Sequence, residues 1–194
     1  MIEGMEIRST TLPEVKQLSP VRIGDSRGFF SEVWNRRTFA SVGIDVSFVQ
    51  DNHIRSPQRG TLRGLHYQLP PVAQGKLIRV TRGAIFDVAV DIRRASPNFG
   101  QHAAVVLSAD NWHQLWIPVG FAHGYCTLED DTEVQYKVTD FYSPVHERGI
   151  AWNDPSLAIA WPVDMEVMLS ERDRMLPHLA AQPDIFVYRP WPSL

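Results

Sequence analysis

A chain of 194 residues, 44% hydrophobic and 21% charged, has the material for a sizeable buried core and reads as one domain spanning residues 1–194. A formal net charge of -3 excludes the broad basic field of a nucleic-acid binder, leaving room only for a local basic pocket suited to a small anion. No run is long and apolar enough to span a membrane, and the start, MIEGMEIRSTTLPEVKQL, is acidic where a secretion signal is basic, so neither membrane nor export is expected.

In chain order, the first predicted element is a short helix over Arg37 to Val42, stopped by Gly43. From Thr61 the chain turns β-rich. TLRGLHYQ, KLIRVTRGAIFDVAVDI, HAAVVLSAD, HQLWIPVGFAHGYCTLED and TEVQYKVTDFY all read as extended, separated by turn-like LPPVAQG, ASPNFGQ, SADNW and LEDDT. Phe86, Val88, Val90 and Ile92 alternate with Asp87 and Asp91, the pattern of a strand with two unlike faces. Many short strands at regular spacing predict a sandwich or barrel. A second helix is expected from LSERDRMLPHLA, where Ser170 and Asp173 have the spacing of a capping box. The aromatic, proline-broken tail QPDIFVYRPWPSL is expected to pack on the barrel surface. The single cysteine, Cys126, lies in an apolar run and reads as an inert core thiol. With no intrachain disulfide available, a reducing, cytoplasmic setting is the simplest expectation.

The chemistry concentrates in GTLRGLHYQ. Arg63 and His66 stand three apart, so a regular strand would point them to opposite faces. A bulge or bend at Gly64 would let both face one cavity. Lys76 opens the next strand, and a hairpin through LPPVAQG is expected to bring it near His66. Tyr136 shares a strand face with Val134 and Val138. A histidine base, a lysine cation and a tyrosine acid in one pocket would supply proton removal, enolate stabilisation and proton return. Each residue also has a plainer reading: a core tyrosine, a strand arginine reaching for water, a helix-capping carboxylate at Asp173. Metal-holding barrels place two histidines one residue apart, followed by a carboxylate. LHYQ offers one histidine, and His53, His102 and His123 are scattered, so no metal is expected.

These segments, together with DSRGFFSEVW, FVQDNH, GIAWNDPSLAIAWP and SERD in order, resemble the dTDP-4-dehydrorhamnose 3,5-epimerase family from Asp25 to the SERD motif at Ser170. The resemblance implies an all-β, cupin-like jelly-roll barrel with short peripheral helices, acting as a homodimer without cofactor or metal. It implies a dTDP-sugar substrate with a ketone at C4, epimerised at the two flanking carbons. It further implies His66 as base paired with Asp173, Lys76 at the enolate oxygen and Tyr136 as proton donor. Gln50, Asn52, Arg63 and His123 match substrate contacts, Tyr142 the ring stacked on thymine, and Glu147 and Arg172 further nucleotide contacts. Arg27 and Glu32 match residues contributed across the dimer. Two departures stand out: Ile54 where a serine hydroxyl is common, and Arg172 where lysine is common. Three alternatives stay open at this level: an epimerase of one carbon only, a sugar-nucleotide binder without turnover, and a metal-dependent barrel enzyme.

Overall fold

The computed structural model describes residues 5–162, 166–182 and 186–188. In chain order the strands are β1 (Glu6–Ser9), β2 (Lys16–Ser19), β3 (Ile23–Asp25) and β4 (Gly28–Phe30), followed by helix α1 (Arg36–Ala40). Then come β5 (Gln50–Ser56), β6 (Leu62–Gln68), β7 (Lys76–Arg82), β8 (Ala84–Asp91), β9 (His102–Ser108), β10 (Gln114–Ile117), β11 (Phe121–Thr127), β12 (Thr132–Val138) and β13 (Glu147–Gly149), with helix α2 at Glu171–Arg174. Among the described residues no helix is long and apolar enough to cross a membrane.

Two antiparallel sheets form the barrel, ordered β1-β2-β10-β7-β12-β5 and β13-β6-β11-β8-β9, while β3 and β4 pair as a separate ribbon. From β5 to β12 the chain switches sheet at every connection except β8 to β9. That is the jelly-roll arrangement, and it corrects two expectations. KLIRVTRGAIFDVAVDI and HQLWIPVGFAHGYCTLED each make two strands in different sheets, broken at Gly83 (φ +72°) and at Pro118–Gly120. LPPVAQG is likewise an arch between sheets and not a hairpin, since β6 and β7 do not pair.

The core has three layers. Between the sheets lie Ile78, Val80, Ile85, Ala89, Leu115, Phe121, Tyr125 and Val134. Under the segment that follows β13, the outer face of the second sheet buries Leu62, Leu65, Val88, Val90, Ile92 and Cys126 against Ile150, Leu157 and Trp161. On the far side, α1 packs Phe39 against Leu77 and Trp116. Asn35 caps α1 through its side chain, and Gly43 (φ +81°) follows its end, close to the expected bounds. The alternation in β8 is therefore real, but both faces are covered: Asp87 and Asp91 point into the barrel and are fully buried. Of the tail, Gln182 bonds the Tyr67 hydroxyl and Phe186 packs edge-on against the Tyr67 ring, while residues 183–185 and 189–194 lie outside the described residues.

Candidate active site

The cavity that matters is built at one irregularity. Along β6, Leu62, Leu65 and Tyr67 pack on the outside, while Arg63 and His66 turn inward. The pairing with β11 shows how: His66 sits opposite His123 and Arg63 opposite Tyr125, so three steps on β6 match two on β11. Gly64, at φ +123°, absorbs the extra residue of this bulge. A Cβ there would lie 2.5 Å from the Gly124 Cα and 2.8 Å from the His123 carbonyl oxygen, so two glycines are needed for the strands to approach. The bulge turns a cation and an imidazole into the same space.

That space is a cavity of about 510 Å³ lined by Arg63, His66, Lys76, His123, Tyr125, Tyr136, Arg172 and Asp173, with Ile54 as part of its apolar wall. His66 belongs to one sheet and Tyr136 to the other, so they approach the cavity from opposite sides. The His66 Nε2–H donates to Asp173 Oδ1 at 2.7 Å, which leaves Nδ1 as the basic nitrogen. Asp173 is reached through α2, a single turn capped by Ser170, whose hydroxyl accepts from the Asp173 N–H at 3.0 Å. Only half of the expected capping box forms, because the Asp173 carboxylate turns to His66 and the Gly64 N–H instead. Burial would raise the Asp173 carboxyl, but the hydrogen bond and charge of His66 outweigh it and hold the group below the ordinary carboxylate range.

Lys76 is buried, and its ammonium donates to the His66 carbonyl oxygen at 3.3 Å. Desolvation lowers its pKa to about 8, against the pull of Glu147 and Asp87. Tyr136 is half-buried, and its phenol is pushed up, first by desolvation and then by Glu147, so it stays protonated at neutral pH. His123 lies on β11, and its Nε2–H donates to Asp87 at 2.6 Å.

At the mouth, Tyr142 donates to Glu147 at 2.7 Å and Arg172 pairs with the same carboxylate at 2.6 Å. Gln50 bonds Asn52 at 2.8 Å and accepts from the Tyr142 N–H at 3.1 Å, tying these four elements into one rim. Two expected site residues stay apart from it. Arg27 sits on the exposed β3–β4 ribbon, paired with Asp25 at 2.5 Å, and Glu32 accepts from Asn35 at 3.3 Å. His53 faces outward to Glu133 at 3.0 Å. Asp87 and Tyr125 were not singled out from the sequence; Asp87 was visible there only as the polar beat of an alternating strand.

The family described as dTDP-4-dehydrorhamnose 3,5-epimerase matches residues 9–181. A dTDP-4-dehydrorhamnose 3,5-epimerase of Sinorhizobium fredii is 49% identical over 187 residues, 96% of each chain. The chain belongs to this family. Among solved structures, a dTDP-6-deoxy-D-glucose-3,5-epimerase from Legionella pneumophila, in complex with dTDP-4-keto-L-rhamnose, superposes with a TM-score of 0.92 at 45% identity, covering 96% of this chain and all of that one. A dTDP-4-dehydrorhamnose 3,5-epimerase from Bacillus anthracis with TDP and PPi bound gives 0.87 at 50% identity, over 90% and 99% of the two chains. The family is one of isomerases, and its members share the jelly roll seen here.

Proposed function

We propose that this chain, acting as one epimerase domain, inverts C3 and C5 of dTDP-4-dehydro-6-deoxy-D-glucose to give dTDP-4-dehydro-L-rhamnose. One observation carries the reading: His66 on one sheet, bonded to Asp173 of α2, lines a single cavity with Tyr136 of the other sheet, with the Lys76 ammonium beside them. His66 Nδ1 removes the proton from a carbon next to the C4 ketone. The C–H electron pair moves into a carbon–carbon double bond and the carbonyl pair onto oxygen, where Lys76 stabilises the enolate. Tyr136 then returns a proton to the opposite face, and exchange with water resets imidazolium and phenolate. The substrate's own carbonyl is the electron sink, so this chemistry calls on no further cofactor.

Tyr142 stacks on the thymine, and Arg63 and Arg172 take the diphosphate, guanidinium being well matched to phosphate oxygens. Gln50, Asn52 and His123 contact the sugar nucleotide. The β3–β4 ribbon exposes Ile23, Phe29 and Phe30, which supports a homodimer in which Arg27 and Glu32 complete the site of the other copy. Mixing inactive Arg27→Ala with inactive His66→Ala protein restores activity if the arm works across the dimer, and restores none if it does not. A lone buried cysteine suits a reducing cytoplasm.

The test of the reaction is turnover of the dTDP-4-keto sugar in deuterium oxide with a chelator present, followed by NMR. Deuterium at both C3 and C5 with inversion is expected. Label at one carbon only would make it a single-site epimerase, and binding without exchange would overturn the enzymatic reading.

A further inference from the structure

Asp87 takes no part in the chemistry above, yet it is fully buried on β8 with its carboxylate turned into the barrel. One oxygen, Oδ1, accepts from His123 at 2.6 Å, and the other, Oδ2, is buried without a hydrogen-bond partner. A carboxylate held out of water in this way needs a compensating cation nearby. His123 does not supply it, because burial pushes the imidazole toward its neutral form despite the Asp87 charge.

Two cations share the inner cavity with His123: Lys76, on which the Asp87 charge acts, and Arg63, whose Nε is buried without a hydrogen-bond partner, while Arg172 pairs with Glu147. Around Lys76 are Arg63 and His66 from β6, His123 and Tyr125 from β11, Tyr136 from β12, and Arg172 and Asp173 from α2, with the charges of Asp87 on β8 and Glu147 on β13 also acting on it. Asp87, Glu147 and Asp173 are the carboxylates in that set, and Asp173 is engaged by His66. Glu147 is already engaged by Arg172 and Tyr142 at the rim. Asp87 has no such engagement beyond His123.

Resting on the epimerase reading, we propose that Asp87 is a positioning residue of the site: it holds His123 as the Nε2–H tautomer and supplies the buried negative charge that keeps Lys76 an ammonium beside the forming enolate. His123 Nδ1 is then left as an acceptor for a sugar hydroxyl. The Lys76 pKa of about 8 is the outcome of desolvation pulling down and these carboxylates pulling up. Removing one of them leaves the ammonium less defended.

The isosteric Asp87→Asn variant separates the charge from the shape. Reductive methylation with a carbon-13 label allows Lys76 to be titrated by NMR in both proteins. In Asp87→Asn its titration should fall by about one pH unit, and the alkaline limb of kcat/KM should move with it, a loss about tenfold larger above pH 8 than at pH 6.5. An overall drop in activity with an unmoved Lys76 titration would mean that Asp87 is merely structural. In the wild-type protein, nitrogen-15 spectra of the histidine rings should show His123 neutral with hydrogen on Nε2, a result independent of whether the variant folds. Hydrogen on Nδ1 would overturn the proposal. Loss of the epimerase reading itself would show separately, as absence of deuterium exchange in the wild-type protein.

Discussion

Replacing Lys76 with methionine should make the protein more stable while ending catalysis. The ammonium is buried, and its pKa of about 8 against an ordinary 10.5 already includes its attraction to Glu147 and Asp87. At 1.36 kcal/mol per pKa unit, keeping it charged in the folded state at neutral pH costs about 3 kcal/mol. Methionine keeps the unbranched stem and removes that cost, but forfeits the bond to the His66 carbonyl, worth about 1 kcal/mol. The net gain is about 2 kcal/mol at pH 7, or a Tm rise of about 4 to 8 °C for a chain of this size. The pH dependence follows from the depressed value. Below about pH 8 both folded and unfolded states carry the proton, and the full cost is present. Between about 8 and 10.5 the folded state gives it up while the unfolded chain keeps it, so wild-type stability rises with pH through that window. The advantage of Lys76→Met should therefore close by about pH 9.5. Urea unfolding of both proteins from pH 7 to 9.5 measures it. A variant less stable than wild type at pH 7, or a gap that ignores pH, would refute the claim that Lys76 is a strained buried charge.

Three further outcomes test the rest of the site. His66→Ala should abolish deuterium exchange at both carbons, whereas Tyr136→Phe should retain exchange better than net inversion; the loss in each case is about a hundred- to ten-thousand-fold, and normal inversion by Tyr136→Phe would remove the acid role. Asp173→Asn should lower kcat by a similar factor with little change in KM, because the 2.7 Å bond orients the base and does not hold substrate. Since the folded Asp173 carboxyl lies below its unfolded value, its contribution to stability is present above about pH 4 and lost as pH falls through the folded value, so wild type should lose stability in acid more steeply than the variant. Gly64→Ala forces a Cβ to 2.5 Å from the Gly124 Cα at a left-handed φ, while Gly100→Ala shares the positive φ with 3.9 Å of room. The former should cost about 1–3 kcal/mol more in thermal unfolding and impair turnover; equal cost at the two glycines would remove the close strand approach as the reason for Gly64.

How far the site could be read from the sequence depends on what each residue's environment owes to its neighbours in the chain. Arg63 and His66 were legible because their spacing contradicts a period of two unless something intervenes, and Gly64 stands where it must intervene. Lys76 was placed beside His66 for the wrong reason: the connecting segment crosses between sheets, and sheet assignment is a non-local property that no turn motif encodes. The N-terminal strands β1 to β4 passed unread because they are only three or four residues long, with β1, β3 and β4 exposed throughout; β5 is seven residues long, but its alternation of half-buried and exposed positions is carried mostly by polar side chains. Arg27 and Glu32 entered only through family resemblance, and in one chain they line separate pockets, Arg27 on the β3–β4 ribbon and Glu32 beside α1, away from the cavity of His66 and Tyr136.

Asp87 shows the limit most clearly. Alternation along β8 establishes that two faces differ, and the ordinary inference puts the carboxylates toward water. That inference assumes one face of the sheet is solvated. Here the segment after β13 covers the outer face with Ile150, Leu157 and Trp161, so the apolar residues face that cover and the aspartates face inward. Asp91 is then satisfied by Arg93 at 2.7 Å and Ser96 at 2.6 Å, a self-contained structural cluster. Asp87, four residues earlier and on the same face, has only a neutral histidine and an unfilled oxygen. Two carboxylates with the same burial and the same strand parity thus differ in whether their charge is answered locally. The one left unanswered lies behind His123 of the cavity wall, where its charge acts on the ammonium that the reaction needs charged.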